Sequence, residues 1–273
     1  MSIKEKLALI ENIEEVQSMP SSIMVLMAKI NNPKSTVDEI EKLIELDPDL
    51  VSYILRLSNS FIFGLREKIR SISRVIELVG MSNLRSILIT YFVRLLCNGI
   101  SSSQVREYIW HHSLSVAVMS KTIAEKIYRV EQPNFYVFGF LHDLGKILLY
   151  MHNAQDFEKC LEQGILKGMD FVSTENQAFG FSHIEAGYYM IDKLGFSKKM
   201  KNIILFHHNP QFGPAGDMMH WIVSFANELA HYLEDNKPVD LQRYLVEINV
   251  GEKELQEIIL FAQNRIKQYK EFL

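Results

Sequence analysis

Apolar residues recur at helical spacing along most of the chain, and no sustained alternation marks a strand in its first part. Ile23, Leu26, Met27 and Ile30 make the first stripe after Met19-Pro20, and Asn31-Asn32-Pro33 ends it. Thr36 and Glu39 have the spacing of a capping box ahead of Ile40, Leu43 and Ile44. Asp47-Pro48 reads as an N-cap followed by proline in the first turn, and Val51, Ile54, Leu55 and Ser58 carry that helix toward Gly64. Val75, Ile76 and Val79 form a short helix that Gly80 stops. Ser82 can cap the next one, striped by Leu84, Ile87, Leu88, Tyr91, Phe92 and Leu95. Asn98-Gly-Ile-Ser-Ser-Ser103 is then the clearest break in composition.

Beyond that break a long helix presents Val105, Ile109, His112, Val116, Met119, Ile123 and Ile127 on one face, with a histidine in the middle of an apolar stripe. Pro133-Asn134 starts the helix that leads to His142-Asp143. Residues 153 to 180 read as a looser polar connection, with Gly164 and Gly168 interrupting any helix there. Ser182 caps a helix with His183 in its first turn, and Ser197 caps another with Met200, Ile203, Ile204 and His207 in phase. Asn209-Pro210 ends it, because the residue before proline disfavours helical backbone. Met218 to Leu233 is helical and aligns Val223, Asn227 and Ala230. Two amphipathic pieces follow, Leu241 to Ile248 and Glu254 to Tyr269. The expectation is an all-α chain of two packed helical lobes: residues 1–100, then 101–235, with a helical extension over 236–273.

Composition narrows the class. Apolar residues make up 48% and charged residues 23%, the balance of a globular chain with ample core. A net charge of -4 offers no global basic field toward nucleic acid or anionic membrane. Two distant cysteines, Cys97 and Cys160, fit a reduced compartment better than a secreted one. The charged first residues lead into no signal core, and the apolar run from Ile87 to Cys97 is broken by Arg94. A cytoplasmic protein without a membrane span is expected.

Phe138-Gly-Phe-Leu-His-Asp-Leu-Gly-Lys-Ile147 carries the candidate chemistry. His and Asp are costly to bury without partners, and imidazole beside carboxylate is a common ligand pair for a divalent metal. His112, His142, Asp143, His183, His207, His208 and Asn227 all fall at inward-looking positions. They could build a mono- or dinuclear centre with Asp143 as the bridging ligand, where metal would activate water for phosphoester hydrolysis. The competing account is a set of core histidines hydrogen-bonded to one another and to backbone.

These residues also resemble a known family. His112 with the residues that follow it, Leu141-His-Asp-Leu-Gly-Lys146, His183-Ile-Glu-Ala-Gly187 and His207-His208 resemble motifs of the HD phosphohydrolase superfamily and its cyclic-di-GMP-cleaving HD-GYP branch. The likeness to the HDOD family, the HD-related output domain of bacterial signalling proteins, is closer and spans about residues 15 to 235. Met19-Pro20, Asp47-Pro-Asp-Leu50, Leu55-Arg-Leu-Ser-Asn-Ser60 with Gly64, Trp110-His-His-Ser113 and Ala226-Asn-Glu-Leu-Ala230 come in that family's order. Two departures limit what carries over. Asn227 stands where the HD superfamily closes its metal site with Asp, and the residues after His208 lack the Gly-Tyr-Pro signature.

The resemblance implies an HD-like second lobe and a signalling module that binds a protein partner or small ligand. It also implies a divalent metal (iron, manganese or zinc) in a site of reduced or absent catalysis. The alternative is a metal-dependent phosphohydrolase on a nucleotide or cyclic dinucleotide, with Asp143 and Lys146 nearest the chemistry. Lys146 otherwise reads as a surface lysine. Arg66, Lys68, Arg70, Arg74, Arg85 and Arg94 read as a solvated helix face rather than a nucleic-acid surface. Lys198, Lys199 and Lys201 either face a phosphate or snorkel at a helix start. Met24, Met27 and Met218-Met219 read as core filler rather than a partner groove.

Overall fold

The computed structural model describes residue 10 and residues 20–59, 68–128, 134–166, 168–235 and 241–270. Met19, Ser60, Gly64, Arg66 and Pro133 lie outside the described residues. Within them the chain is all helical, without strands.

Among the described residues the first lobe holds the helices α1 (Ser21–Asn31), α2 (Val37–Glu45), α3 (Pro48–Ser58) and α4 (Ile72–Cys97). The caps form where the sequence places them. Thr36 accepts a hydrogen bond from the Glu39 amide, while the Glu39 carboxylate turns to Lys29 of α1, 3.2 Å away. Asp47 caps α3 by accepting from the Leu50 amide, and its other oxygen accepts from the Tyr91 hydroxyl of α4 at 3.2 Å. One side chain thereby starts a helix and ties it to its neighbour. Asn59 finishes α3 by donating to the Leu55 and Ile69 carbonyls and accepting from the Ile69 amide, holding Ile69 against the helix end.

Gly80 interrupts α4 with φ 79° and ψ 162°, a backbone closed to side chains with a Cβ. The run is therefore two helices joined at a kink, as the Gly80 stop and the Ser82 start predict. Its length and apolar character match a membrane span by composition alone. Its buried positions, among them Val75, Leu84, Ile87, Leu88 and Phe92, are used against α1, α2, α3 and the second lobe.

The second lobe begins with α5 (Ser103–Tyr128) and continues through α6 (Asn134–Leu141), α7 (Gly145–His152), α8 (Ala154–Leu166), α9 (Phe171–Phe179), α10 (His183–Lys193), α11 (Lys198–Phe206) and α12 (Met219–Asp235). Then α13 (Leu241–Ile248) packs on α12, and α14 (Glu252–Lys270) packs on α5. The central layer is α5 with α6 and α12. α7 lies against α10, and α6 also touches α4, which joins the lobes.

Two glycines set the close approaches. A Cβ on Gly139 would stand 2.6 Å from the Val116 carbonyl oxygen of α5, and one on Gly145 would stand 1.9 Å from the His183 carbonyl oxygen of α10. Gly145 thus brings the backbone just after Asp143 onto the first turn of α10.

The segment expected to be a loose connection is instead the pair α8 and α9. Gly164 does not break α8. It leaves room for the Phe171 ring, which a Cβ would meet at 2.4 Å, so packing outweighs the intrinsic cost of about 1 kcal/mol for glycine in a helix.

Candidate metal centre

Four helices deliver imidazoles to one carboxylate. His112 comes from the middle of α5, His142 and Asp143 from the turn after α6, His183 from the first turn of α10, and His207 and His208 from the end of α11. All are buried except His208, which is partly exposed. The Asp143 oxygens face opposite ways. Oδ1 lies 3.3 Å from His183 Nε2 and 3.5 Å from His207 Nε2, and Oδ2 lies 3.3 Å from His142 Nε2 and 3.6 Å from His112 Nε2. Asp143 with His183, His207 and His208 forms one candidate ligand group, and Asp143 with His112 and His142 forms a second. In each the ligand atoms lie within 4.8 Å of one another.

Proton bookkeeping separates the two groups. His142 Nδ1–H donates to the Gly139 carbonyl at 2.7 Å, and His207 Nδ1–H donates to the Ile204 carbonyl at 2.8 Å. His183 Nδ1–H donates to the Glu175 carboxylate at 2.6 Å, and the same oxygen accepts the His183 amide. A neutral imidazole that donates from Nδ1 presents a lone pair at Nε2. Three lone pairs therefore point at a carboxylate that is itself an acceptor, and His208 Nε2 stands 3.0 Å from that of His183. His142 Nε2 and Asp143 Oδ1 are buried without any hydrogen-bond partner. Acceptors crowded on acceptors at low dielectric are costly, and a divalent cation is what such a donor set fits. The Glu175–His183 pair is the carboxylate–histidine arrangement that orients a ligand imidazole.

His112 is different. Nδ1 stands 3.1 Å from Glu234 Oε2 and Nε2 stands 2.9 Å from Asn227 Oδ1, so both ring nitrogens face side-chain oxygens other than those of Asp143. Glu234 also accepts from Ser115, and His231 stacks on His112 with ring centroids 4.4 Å apart.

Lys146 corrects an expectation. It is not on the surface but 2% exposed, with its ammonium 2.5 Å from Asp143 Oδ2 and 4.8 Å from the centre of the Phe171 ring. The i, i+3 spacing from Asp143 turns it inward, toward that carboxylate and the Phe171 ring of α9. Burial favours the neutral forms of the histidines: His142 is pushed down to about 4, and His207 and His208 are lowered too. Burial alone would raise Asp143, but the Lys146 charge on Oδ2 reverses that and holds it well below the usual carboxylate range.

The comparisons agree with this architecture. The family profile described as HDOD domain matches residues 16–210. The chain belongs to the HDOD family. Among solved structures, an HDOD domain protein from Geobacter sulfurreducens superposes with a TM-score of 0.82 at 24% identity, covering 100% of this chain and 99% of that one. A protein from Shewanella amazonensis SB2B, named as a candidate phosphohydrolase, superposes with a TM-score of 0.78 at 20% identity, covering 97% and 98%. These likenesses establish the fold. A Treponema pallidum protein is 22% identical over 232 residues, and this HDOD chain spans 45% of its length.

Three residues of the site were not singled out in the sequence. Glu175 lies in the segment expected to be loose, so its helix was missing as a signal. Glu234 had one: it is seven residues after Asn227, on the same face of α12. His231, four residues after Asn227, had it too.

The remaining expectations fall as follows. Met24 is 55% exposed rather than core, because α1 turns only Ile23, Leu26 and Ile30 toward α2 and α4. Met27, Met218 and Met219 are half-buried. Lys201 pairs with Asp192. Among the described basic residues, Arg74 pairs with Glu77 and Arg94 lies over Tyr53, while Arg85 lines a separate crevice.

Proposed function

We propose that this HDOD chain is a cytoplasmic signal-transduction module. It acts by binding a protein partner or small ligand, and it holds one divalent metal ion (iron, manganese or zinc) between Asp143 Oδ1, His183, His207 and His208 as a structural element without hydrolytic turnover. The observation that carries this reading is Lys146 on Asp143 Oδ2, both side chains 2% exposed. An ammonium there supplies the counter-charge that a second cation would bring, and Asn227 and Glu234 stand against both nitrogens of His112. The half containing His112 and His142 then keeps one spare lone pair, on His142 Nε2, beside the Lys146 charge, and the half containing His208 is the one where several imidazoles converge without a cation.

A bound metal would act there as a Lewis acid toward a phosphoryl oxygen or a water. The residues of this chain give it little room to do so. Asp143, His142, His183 and His207 are 0–2% exposed, so a phosphoester could approach only past His208. Glu175 orients His183, and Gly139 and Ile204 fix the tautomers of His142 and His207. These contacts serve cation binding whether or not a reaction follows.

One observation favours the second reading, a metal-dependent phosphohydrolase: two ligand groups share Asp143, the layout of a two-metal site. The test is hydrolysis of bis-p-nitrophenyl phosphate and of a cyclic dinucleotide by protein reconstituted with manganese, iron or zinc. The signalling reading predicts rates equal to metal in buffer. Turnover that Asp143→Ala abolishes would overturn it and establish the phosphohydrolase.

A further inference from the structure

A crevice of about 560 Å³ opens between the lobes, and neither Asp143 nor any of the histidines around it lines it. Its walls come from α1, from α4 just after the Gly80 break, from the start of α6, and from the turn between α10 and α11. The volume is that of a site for a molecule of cofactor size. The floor is apolar, with Ile89, Val137 and Phe138 buried, and Met24 and Met27 form a rim of flexible thioethers. This explains why a methionine on α1 stands 55% exposed: it borders an opening rather than a core.

The polar groups around this floor share one sign. Arg85 and Lys199 contribute two cations, and no lining residue is acidic. Neither has an ion pair among the described residues, although Lys201 nearby pairs with Asp192 and Arg74 with Glu77. Arg85 is half-buried and its Nε is fully buried without a hydrogen-bond partner. A guanidinium N–H kept from water and given no acceptor costs free energy, and the group that repays it best is an oxyanion taken by the planar fork. Asn31, Ser82 and Ser197 add hydrogen-bonding groups around the same opening.

We propose that this inter-lobe crevice binds a small anionic amphiphile: one phosphate, sulfonate or carboxylate held by Arg85 and Lys199, on a flat apolar body lying over Phe138 and Val137. The inference stands apart from the metal reading, since no lining residue reaches Asp143. The location suits a regulator. α6 leads directly into His142-Asp143 and α11 into His207-His208, while α1 and α4 belong to the other lobe. An occupant therefore touches both lobes and the two helices that end at the metal centre.

The experiment is a fluorescence titration of the full chain with two probes, the anionic 8-anilinonaphthalene-1-sulfonate and the neutral N-phenyl-1-naphthylamine. Arg85→Gln is expected to weaken the anionic probe about tenfold, the loss of one charge-assisted bond. Lys199→Gln, an exposed change that leaves the fold alone, is expected to weaken it about threefold, an effect that salt erases. The neutral probe should bind both variants as it binds wild type, and Ser82→Trp should exclude both probes by filling the opening. Anionic-probe affinity that neither charge variant changes would overturn the proposal. So would retention of both probes by Ser82→Trp, which would place them elsewhere on the molecule.

Discussion

Asp143 is held by five side chains, and each can be removed to a different effect. Lys146 is the one whose loss leaves a bare buried charge. Lys146→Met should destabilise the metal-free protein by about 3–5 kcal/mol, the cost of breaking a buried pair from one side. Added zinc should recover part of that loss in thermal unfolding. Glu175 acts through His183 and touches no ion itself, so it is a positioning residue. Glu175→Ala should lower metal affinity about 10–100-fold while secondary structure persists. Titration with a competing chelator reads that change, and an unaltered affinity would remove Glu175 from the centre. Most of the ligand set could be read in the chain, because a histidine in an apolar stripe is conspicuous. The supporting carboxylates were harder: Glu234 shares a face with Asn227 seven residues earlier, but Glu175 lies in a stretch that reads as a loose connection, and nothing in it shows which histidine it meets.

Among the helices, what could be read was the punctuation. Asp47-Pro48, Ser182 and Ser197 each start a helix where the sequence places one, since a cap satisfies backbone N–H groups locally and needs no tertiary partner. Gly164 misled for the opposite reason. Its role is tertiary, to admit Phe171, and nothing in the neighbouring residues announces a ring arriving from the next helix. Gly145 makes the same point at the centre itself. Gly145→Ala would push a methyl into the His183 carbonyl and the Gly187 amide, so α7 and α10 must part. A loss of about 3 kcal/mol in denaturant unfolding is expected, with weakened metal binding because His183 moves from Asp143. A glycine-to-alanine change that stabilised the protein would show that this close approach is not made.

At the scale of the molecule, the lobes meet where α4 packs on α6, and the buried histidines make stability depend on pH. His142 stays neutral in the fold down to about pH 4, whereas an unfolded histidine takes up a proton near 6.5. The unfolded chain therefore binds more protons between those values, and stability must fall as pH drops through that window. The loss is about 3 kcal/mol from His142 alone once pH reaches 4, and His207 and His208 add to it in the same direction. Urea midpoints measured from pH 7 to pH 4 on metal-free protein check this, and a flat profile would contradict neutral burial. The family and the fold agree at this scale, with the HDOD profile over residues 16–210 and close superposition on the Geobacter protein.

The central claim, one metal on the His208 side of Asp143 and none on the His112 side, is tested most directly by elemental analysis after reconstitution with zinc, manganese or iron. Wild type should carry one ion per chain, His207→Ala should carry none, and His112→Ala should keep its ion. Two ions per chain, an empty wild type, or equal loss in both variants would contradict it.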